Sequence, residues 1–253
     1  MMVTKTHTKN IPNDIVVIIP TYNESTNIST LLDKLSMAYE VFDILIVDDN
    51  SPDGTSKIVE ENYVRNLKTI HLLKRDQKLG LGSAYRDGFK WALKKKYQHF
   101  VEMDGDFSHT FDDLMHMLTF KDKYDLIIGS RYIEGGKTEG WSKSRKLLSV
   151  VANFAAKLLL GIKVNDMTSG FRIYSRDCLE DINYYDTKSN GYAFQIEMTL
   201  LACMNKKSIK EVPITFYERR DGKSKMTSSI VLEAFPKVLI FGLKRIINYL
   251  TTP

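Results

Sequence analysis

The feature that most constrains this chain is a series of short β-branched runs, each stopped by polar residues. Ile15-Val16-Val17-Ile18-Ile19 halts at Pro20, and residues 42–47 (FDILIV) end in Asp48-Asp49. His99-Phe100-Val101-Glu102-Met103 ends in Asp104-Gly105-Asp106, and Leu126-Ile127-Ile128-Gly129 ends at Ser130-Arg131. Continuous apolar runs of this length are strands buried on both faces, the habit of parallel sheets. Between them, helical patterns run over 29–39, 55–67, 82–96 and 111–120, with a further strand at 69–73. Alternation of this kind predicts a doubly wound, mostly parallel α/β sheet. Such sheets bind ligands in the crevice outside the carboxyl ends of their strands. Pro20–Glu24, Asp48, Asp49, Asp104, Asp106 and Arg131 are therefore expected to meet at one edge. A single strand-end acid is commonly a helix cap; acids after three strands point to a site.

The second half reads differently. A helix is expected over 147–162, with Leu147, Val150, Val151, Phe154, Leu158 and Leu159 at helical spacing. Residues 167–174 carry Thr168-Ser169-Gly170-Phe171-Arg172, residues 194–204 form an apolar helix containing Gln195 and Glu197, and 209–216 alternates like a strand. A charged loop spans 218–225, and 230–250 is a long helical pattern with a polar stripe of Glu233, Lys237, Lys244 and Asn248. The expected organisation is a polar leader (1–14), a catalytic domain (15–225) and a C-terminal amphipathic helix (226–253). Within the domain, a nucleotide half covers about 15–135 and an acceptor half about 136–225.

Composition excludes several classes. Charged residues are 26% and hydrophobic residues 43%, ordinary for a globular chain and unlike a disordered one. Cys178 and Cys203 are the only cysteines, so neither a disulfide framework nor a cysteine-rich zinc site is expected. No run approaches the ~18 apolar residues that span a bilayer. A net charge of +5 is compatible with an anionic partner. No basic face with interleaved aromatics suggests nucleic acid.

Asp104-Gly105-Asp106 carries the strongest chemical signal. Two carboxylates around a glycine on a tight turn can hold a hard divalent cation, and magnesium favours few protein oxygens plus phosphate oxygens. Tyr22 with Glu24, and Asp49, suit a nucleobase and ribose. Lys78-Leu79-Gly80-Leu81-Gly82 has its next glycine only at Gly88, too late for a dinucleotide fingerprint, and no P-loop occurs. His109, alone beside the acid turn, reads as structural, and no His–carboxylate pair is legible. Arg131, Arg145, Arg219, Arg220, Lys223 and Lys225 are basic candidates, Arg131 set apart by its strand-end position.

PTYNE (20–24), VDDNSPDGT (47–55), KLGLGSAY (78–85), MDGDFSH (103–109), GSRY (129–132), SGFR (169–172), GYAFQIE (191–197) and ERRDGKSK (218–225) follow one another in order. Together they resemble the dolichol-phosphate (polyprenol-phosphate) mannosyltransferases, inverting glycosyltransferases of the GT-A fold. VDDNSPDGT, KLGLG and the Arg219–Lys225 pattern R-x-x-G-x-S-K favour that branch. The resemblance implies that Pro20, Tyr22, Glu24, Val47 and Asp49 hold guanosine. It assigns Asp104, Gly105, Asp106 and Ser108 to Mg2+ or Mn2+ and the diphosphate, and Arg131, Arg219 and Lys225 to phosphate groups. Asp104, Asp106 and Arg131 would be catalytic. Gly105 replaces the usual Ala, and Ser108 stands where some members have Gln.

The implied reaction moves mannose from GDP-mannose to dolichyl or polyprenyl phosphate on the cytoplasmic face of a membrane. That membrane would be the endoplasmic reticulum in a eukaryote and the plasma membrane in a prokaryote. Attachment would be peripheral, through the 147–162 and 230–250 helices or small anchoring subunits. A phosphate nucleophile is largely ionised at neutral pH, its second pKa being about 6, so no strong base is needed. The rivals are a UDP-glucose enzyme on the same lipid, a glycan-acceptor transferase using Glu197 or Asp166 as base, and a non-catalytic subunit.

Overall fold

The computed structural model describes residues 13–218 apart from Tyr39 and Asn66. Arg219, Lys225 and the 230–250 helical pattern lie outside the described residues. In chain order the elements are β1 (Ile15–Thr21), α1 (Ile28–Ser36), β2 (Asp43–Asp48), α2 (Thr55–Val59), β3 (Ile70–Lys74), α3 (Leu81–Leu93), β4 (His99–Glu102) and α4 (Phe111–Leu118). There follow β5 (Leu126–Ser130), β6 (Lys137–Glu139), α5 (Lys143–Leu160), β7 (Arg172–Ser175), α6 (Arg176–Asp181), α7 (Gly191–Met204), β8 (Ile209–Pro213) and β9 (Thr215–Tyr217).

Seven strands form one sheet in the order β3-β2-β1-β4-β7-β5-β8, and β6 pairs with β9 in a second, two-stranded sheet. Every pairing in the large sheet is parallel except those of β7, which runs antiparallel between β4 and β5. The sheet is thus mostly parallel, as expected, with one antiparallel strand near its centre. The reversal has a consequence for the site. Arg172, the first residue of β7, pairs with Glu102, the last of β4, so the preceding 166–171 segment lies at the same edge as the acid turn.

The period-two geometry of strands explains why the runs are continuously apolar. Val16 and Ile18 of β1 join one core with Leu45, Val47, Phe100 and Ile128, covered by α3 and α7. Ile15, Val17 and Ile19 join the other with Ile44, Ile46, Val101 and Ile127, covered by α1 and α4. Gly88 of α3 is required by this packing, because a Cβ there would stand 2.7 Å from Ile18 Cγ2.

Three strand-end loops turn through left-handed residues: Asn23 after β1 (φ 59°), Asn50 after β2 (φ 59°) and Phe107 after β4 (φ 62°). Asn tolerates this conformation; for Phe it is strained. The helix expected over 55–67 is α2 continued by a π-helical turn at Glu60–Val64. α5 starts four residues before the expected 147, capped by the Ser142 side chain, and Gly161 (φ 58°) ends it.

α5 turns its large apolar side chains outward, the facing that the expected membrane contact of the 147–162 helix requires. Its inner face carries Ser149, Asn153, Ala156 and Leu160, while Leu147, Val151, Phe154 and Leu158 are 65, 53, 65 and 71% exposed. Large apolar residues at helical spacing face away from the described core. Among the described residues no helix is long and apolar enough to cross a membrane.

Candidate active site

A cavity of about 240 Å³ opens at the carboxyl edge of β1 and β4. Its walls bring together Pro20, Tyr22 and Glu24 after β1, Asp104, Gly105 and Asp106 after β4, and Arg131 after β5. Thr168 and Gly170 before β7, Tyr192 and Gln195 of α7, and Trp141, Arg145 and Phe216 complete it. Seven residues read from the sequence as site residues thus share one wall system.

Asp104 and Asp106 lie on either side of Gly105, which is packed closely enough that a Cβ would meet Ile19 Cγ2 at 3.3 Å. An alanine there would need the core to give slightly. Asp106 Oδ1 accepts from the Ser108 backbone N–H at 3.1 Å. Ser108 is fully buried beneath the turn, and its Oγ has no hydrogen-bond partner among the described residues. Two carboxylates beside an unmatched hydroxyl form a hard-oxygen donor set, which fits Mg2+ or Mn2+. No cluster of three or more His, Cys, Asp or Glu able to hold a metal occurs among the described residues.

A His–carboxylate pair does exist here, contrary to the sequence reading. His109 Nε2 lies 3.7 Å from Asp104 Oδ2, with a side chain only 1% exposed. Its ring stacks on Phe171 at 4.4 Å and meets Phe216 edge-on at 5.3 Å. Five residues along a tight loop bring His109 back under Asp104, a closure that residue spacing does not reveal. Glu102, two residues before Asp104, is fully buried, and burial pushes its carboxyl up to about 8, with the Arg172 charge opposing.

The acids that follow β1 and β2 have divided structural roles. Asp48 ties strand ends together: Oδ1 accepts from Thr21 Oγ1 (2.9 Å) and Ser51 Oγ (2.6 Å), and Oδ2 from the Ser51 N–H. Asp49 does not line the cavity. Its Oδ1 pairs with Arg75 and its Oδ2 accepts from the Gly80 N–H at 3.0 Å. The glycine-containing loop is therefore clamped between Asp49 and Asn190, whose Oδ1 accepts from the Ser83 N–H. A Cβ on Gly82 would stand 2.6 Å from the Ser189 carbonyl oxygen, which explains that glycine. Val47 is wholly inside the core. One face of Tyr22 carries the Lys78 ammonium, 3.6 Å from the ring centre. Asp53 serves as a staple for the loops, held down to about 2 by hydrogen bonds from Thr55 and Ser25 that outweigh a desolvation effect.

The cationic wall is built around Arg131. Asp166 accepts from its N–H (3.0 Å), its Nε (2.7 Å) and its Nη2 (2.7 Å), and Thr168 Oγ1 from Nη2 (2.9 Å); none of these bonds uses Nη1. Burial alone would raise the Asp166 pKa, but the Arg131 charge and hydrogen bonds hold it below the usual range. Arg145 lies over Trp141 at 3.9 Å and pairs with Glu218 at 2.9 Å. Trp141, Gln195, Thr168, Tyr192 and Phe216 were not singled out from the sequence as site residues. Gln195 in particular was hidden inside an apolar helical pattern.

These positions also bear on a general base. Asp166 is fully buried and committed to Arg131. Glu197 does not line the cavity and accepts from the Ser189 N–H at 3.1 Å. Neither carboxylate offered for that role faces the cavity.

Comparison with known proteins shows the family. Residues 16–182 match glycosyl transferase family 2. Polyprenol monophosphomannose synthase of Mycolicibacterium smegmatis is 43% identical over 230 residues, covering 90% of this chain and 87% of that one. Undecaprenyl-phosphate mannosyltransferase of Micrococcus luteus is 42% identical over 229 residues, covering 90% and 94%. Among solved structures, glucosyl-3-phosphoglycerate synthase of Mycobacterium tuberculosis, bound to Mn2+, UDP-glucose and phosphoglyceric acid, superposes with a TM-score of 0.68. It is 16% identical, with 92% of this chain and 81% of that one covered, a likeness of fold. The chain accordingly has the GT-A fold and belongs to glycosyl transferase family 2, within its polyprenyl-phosphate mannosyltransferases.

Proposed function

We propose that the protein transfers mannose from GDP-mannose to a dolichyl or polyprenyl monophosphate, with inversion at the anomeric carbon. The observation that carries this reading is one cavity joining the Asp104/Asp106 turn to the Arg131/Arg145 wall, into which neither Asp166 nor Glu197 projects as a base for the acceptor. An ionised phosphate needs its charge matched and needs no deprotonation. The names of the two relatives, one a polyprenol monophosphomannose synthase and one an undecaprenyl-phosphate mannosyltransferase, support the same donor sugar and acceptor class.

Asp104 and Asp106, with Ser108 beneath, would hold Mg2+ or Mn2+. A cation held there would supply positive charge against that growing on the leaving diphosphate. Pro20, Tyr22 and Glu24 would border the nucleoside, with Asp49 and Val47 setting the shape of that end from behind. Arg131 faces phosphate with its orientation locked by Asp166, so little rotational freedom is lost on binding. Arg219 and Lys225 join the phosphate-binding set by the resemblance of their motif.

The acceptor's tail requires a membrane nearby, and α5 supplies a suitable face. The exposed Leu147, Val151, Phe154 and Leu158 are accompanied by Lys143, Arg145, Lys146, Lys157 and Lys163, with no acid anywhere in 143–165. A basic, outward-apolar helix is the pattern that lies in an anionic lipid interface. The association would be peripheral, at the cytoplasmic face.

The donor is tested by competition. GDP-mannose, GDP, UDP-glucose and UDP are titrated against the protein with Mn2+ by calorimetry. Tighter binding of the guanine pair upholds the donor assignment; tighter binding of the uracil pair overturns it and leaves the fold and lipid acceptor in place.

A further inference from the structure

We infer that Gln195 reads a hydroxyl of the transferred sugar and so sets which sugar the enzyme accepts. Gln195 sits in the first turns of α7 and lines the cavity, yet its side chain is only 1% exposed. Neither its Oε1 nor its Nε2 has a hydrogen-bond partner among the described residues. The Glu102 carboxyl is a close polar neighbour, and the amide's proximity opposes the upward push that burial gives that carboxyl, yet the Glu102 oxygens too remain without a well-formed hydrogen bond. A buried amide without a well-formed hydrogen bond at either end is costly in a protein interior, and a native site retains one where a ligand completes it.

The location identifies which part of the ligand. A Cβ built on Gly170 would come to 3.7 and 3.8 Å from the two Asp104 carboxylate oxygens and 3.9 Å from Gln195 Nε2. The amide and the carboxylate therefore border the same small space over the glycine. On the reading given above, on which this inference rests, Asp104 marks the diphosphate, and the group next to the diphosphate is the sugar. A primary amide offers a donor and an acceptor together, which matches a hydroxyl that also does both. Being neutral, it holds the sugar without competing for the cation or acting as a base.

The test uses the full chain with Gln195→Met, a near-isosteric apolar change, and Gln195→Ala. Binding of GDP and of GDP-mannose with Mn2+ is measured by calorimetry. Rates are measured with GDP-mannose and with its monodeoxy analogues, each lacking one sugar hydroxyl. For Gln195→Met, GDP affinity should stay within about twofold of wild type while kcat/KM for GDP-mannose falls about tenfold. The deoxy analogue that wild type disfavours should be used by the variant as well as GDP-mannose is. The thermal midpoint of Gln195→Met should not fall, because an unmatched polar group has been removed.

Equal discrimination among the analogues by variant and wild type overturns the inference. So does a parallel loss of GDP affinity or a fall in the Gln195→Met midpoint, which would make the residue structural. If wild type uses another nucleotide sugar, the donor assignment fails separately, and the same comparison on that donor's deoxy analogues decides the role of Gln195.

Discussion

The Arg131–Asp166 pair should hold the two halves of the site together, and removing one charge should be severe. Asp166 is fully buried and accepts three hydrogen bonds from Arg131, whose side chain is 4% exposed. Asp166→Asn keeps the shape but strands a guanidinium where water cannot reach it. Breaking a buried pair from one side costs about 3–5 kcal/mol. For a chain of this size each kcal/mol lowers the midpoint by about 2–4 °C, so the expected fall is about 6–20 °C. Arg131→Met should cost a similar amount. The double variant should cost clearly less than the sum, because both charges are gone. Thermal and urea unfolding at pH 7 of the four proteins completes the cycle. The sign with pH also follows: Asp166 has a lowered folded pKa, so its contribution is present above the unfolded value of about 3.8 and is lost as pH falls through the folded one. Wild-type stability in Asp166→Asn, or strict additivity in the double variant, would refute this reasoning.

Four other outcomes are expected. Asp104→Asn and Asp106→Asn should each cut metal-dependent transfer at least about 100-fold while the protein still unfolds cooperatively near the wild-type midpoint; near-normal turnover would remove them from the chemistry. Glu102 has a folded pKa raised from 4.5 to about 8, so its stabilisation is complete below about 4.5 and is lost as pH rises through about 8. Glu102→Gln should therefore flatten the decline in stability across that window, measured by urea titration at several pH values, and unchanged slopes would contradict it. Replacing Leu147, Phe154 and Leu158 together by Ser should abolish flotation with anionic vesicles and leave GDP binding intact; retained flotation would move membrane contact elsewhere, as would flotation lost only on deleting residues 230–253. Gly82→Ala should destabilise by about 1–3 kcal/mol, since its Cβ meets a backbone carbonyl that cannot move aside cheaply; a neutral effect in urea unfolding would show the contact relaxes.

β1, β2, β4 and β5 were legible because a strand buried on both faces leaves no doubt about its pattern, whereas β6 and β7 were not read as strands. Val16 and Ile18 look one way and Val17 and Ile19 the other, and all four are apolar. The acid turn and Arg131 were legible for a related reason: strand ends in such sheets converge, so polar residues there are neighbours in space. Direction was not. Nothing in Arg172–Ser175 marks it as antiparallel, and the residues it carries to the site came as a separate motif. Facing was not legible for α5 either, because an apolar stripe at helical spacing is the same whether it meets a core or looks outward. Asp49 illustrates a third limit. Its strand-end position was correct, but its partner Arg75 comes from the neighbouring strand end, and pairing across a sheet is a tertiary fact. The places of Gln195 in the cavity wall and of His109 beside Asp104 were not legible, because each is fixed by what lies opposite it in the fold.

The central claim is tested most directly by transfer of radiolabelled sugar into lipid extractable with organic solvent. Purified protein is mixed with Mn2+ or Mg2+, GDP-[14C]mannose and polyprenyl or dolichyl phosphate in vesicles, with chelator and Asp104→Asn as controls. The account predicts label in a mild-acid-labile lipid phosphate, lost with chelator and with the variant. Label that persists in chelator, or appears from UDP-glucose and never from GDP-mannose, would contradict it.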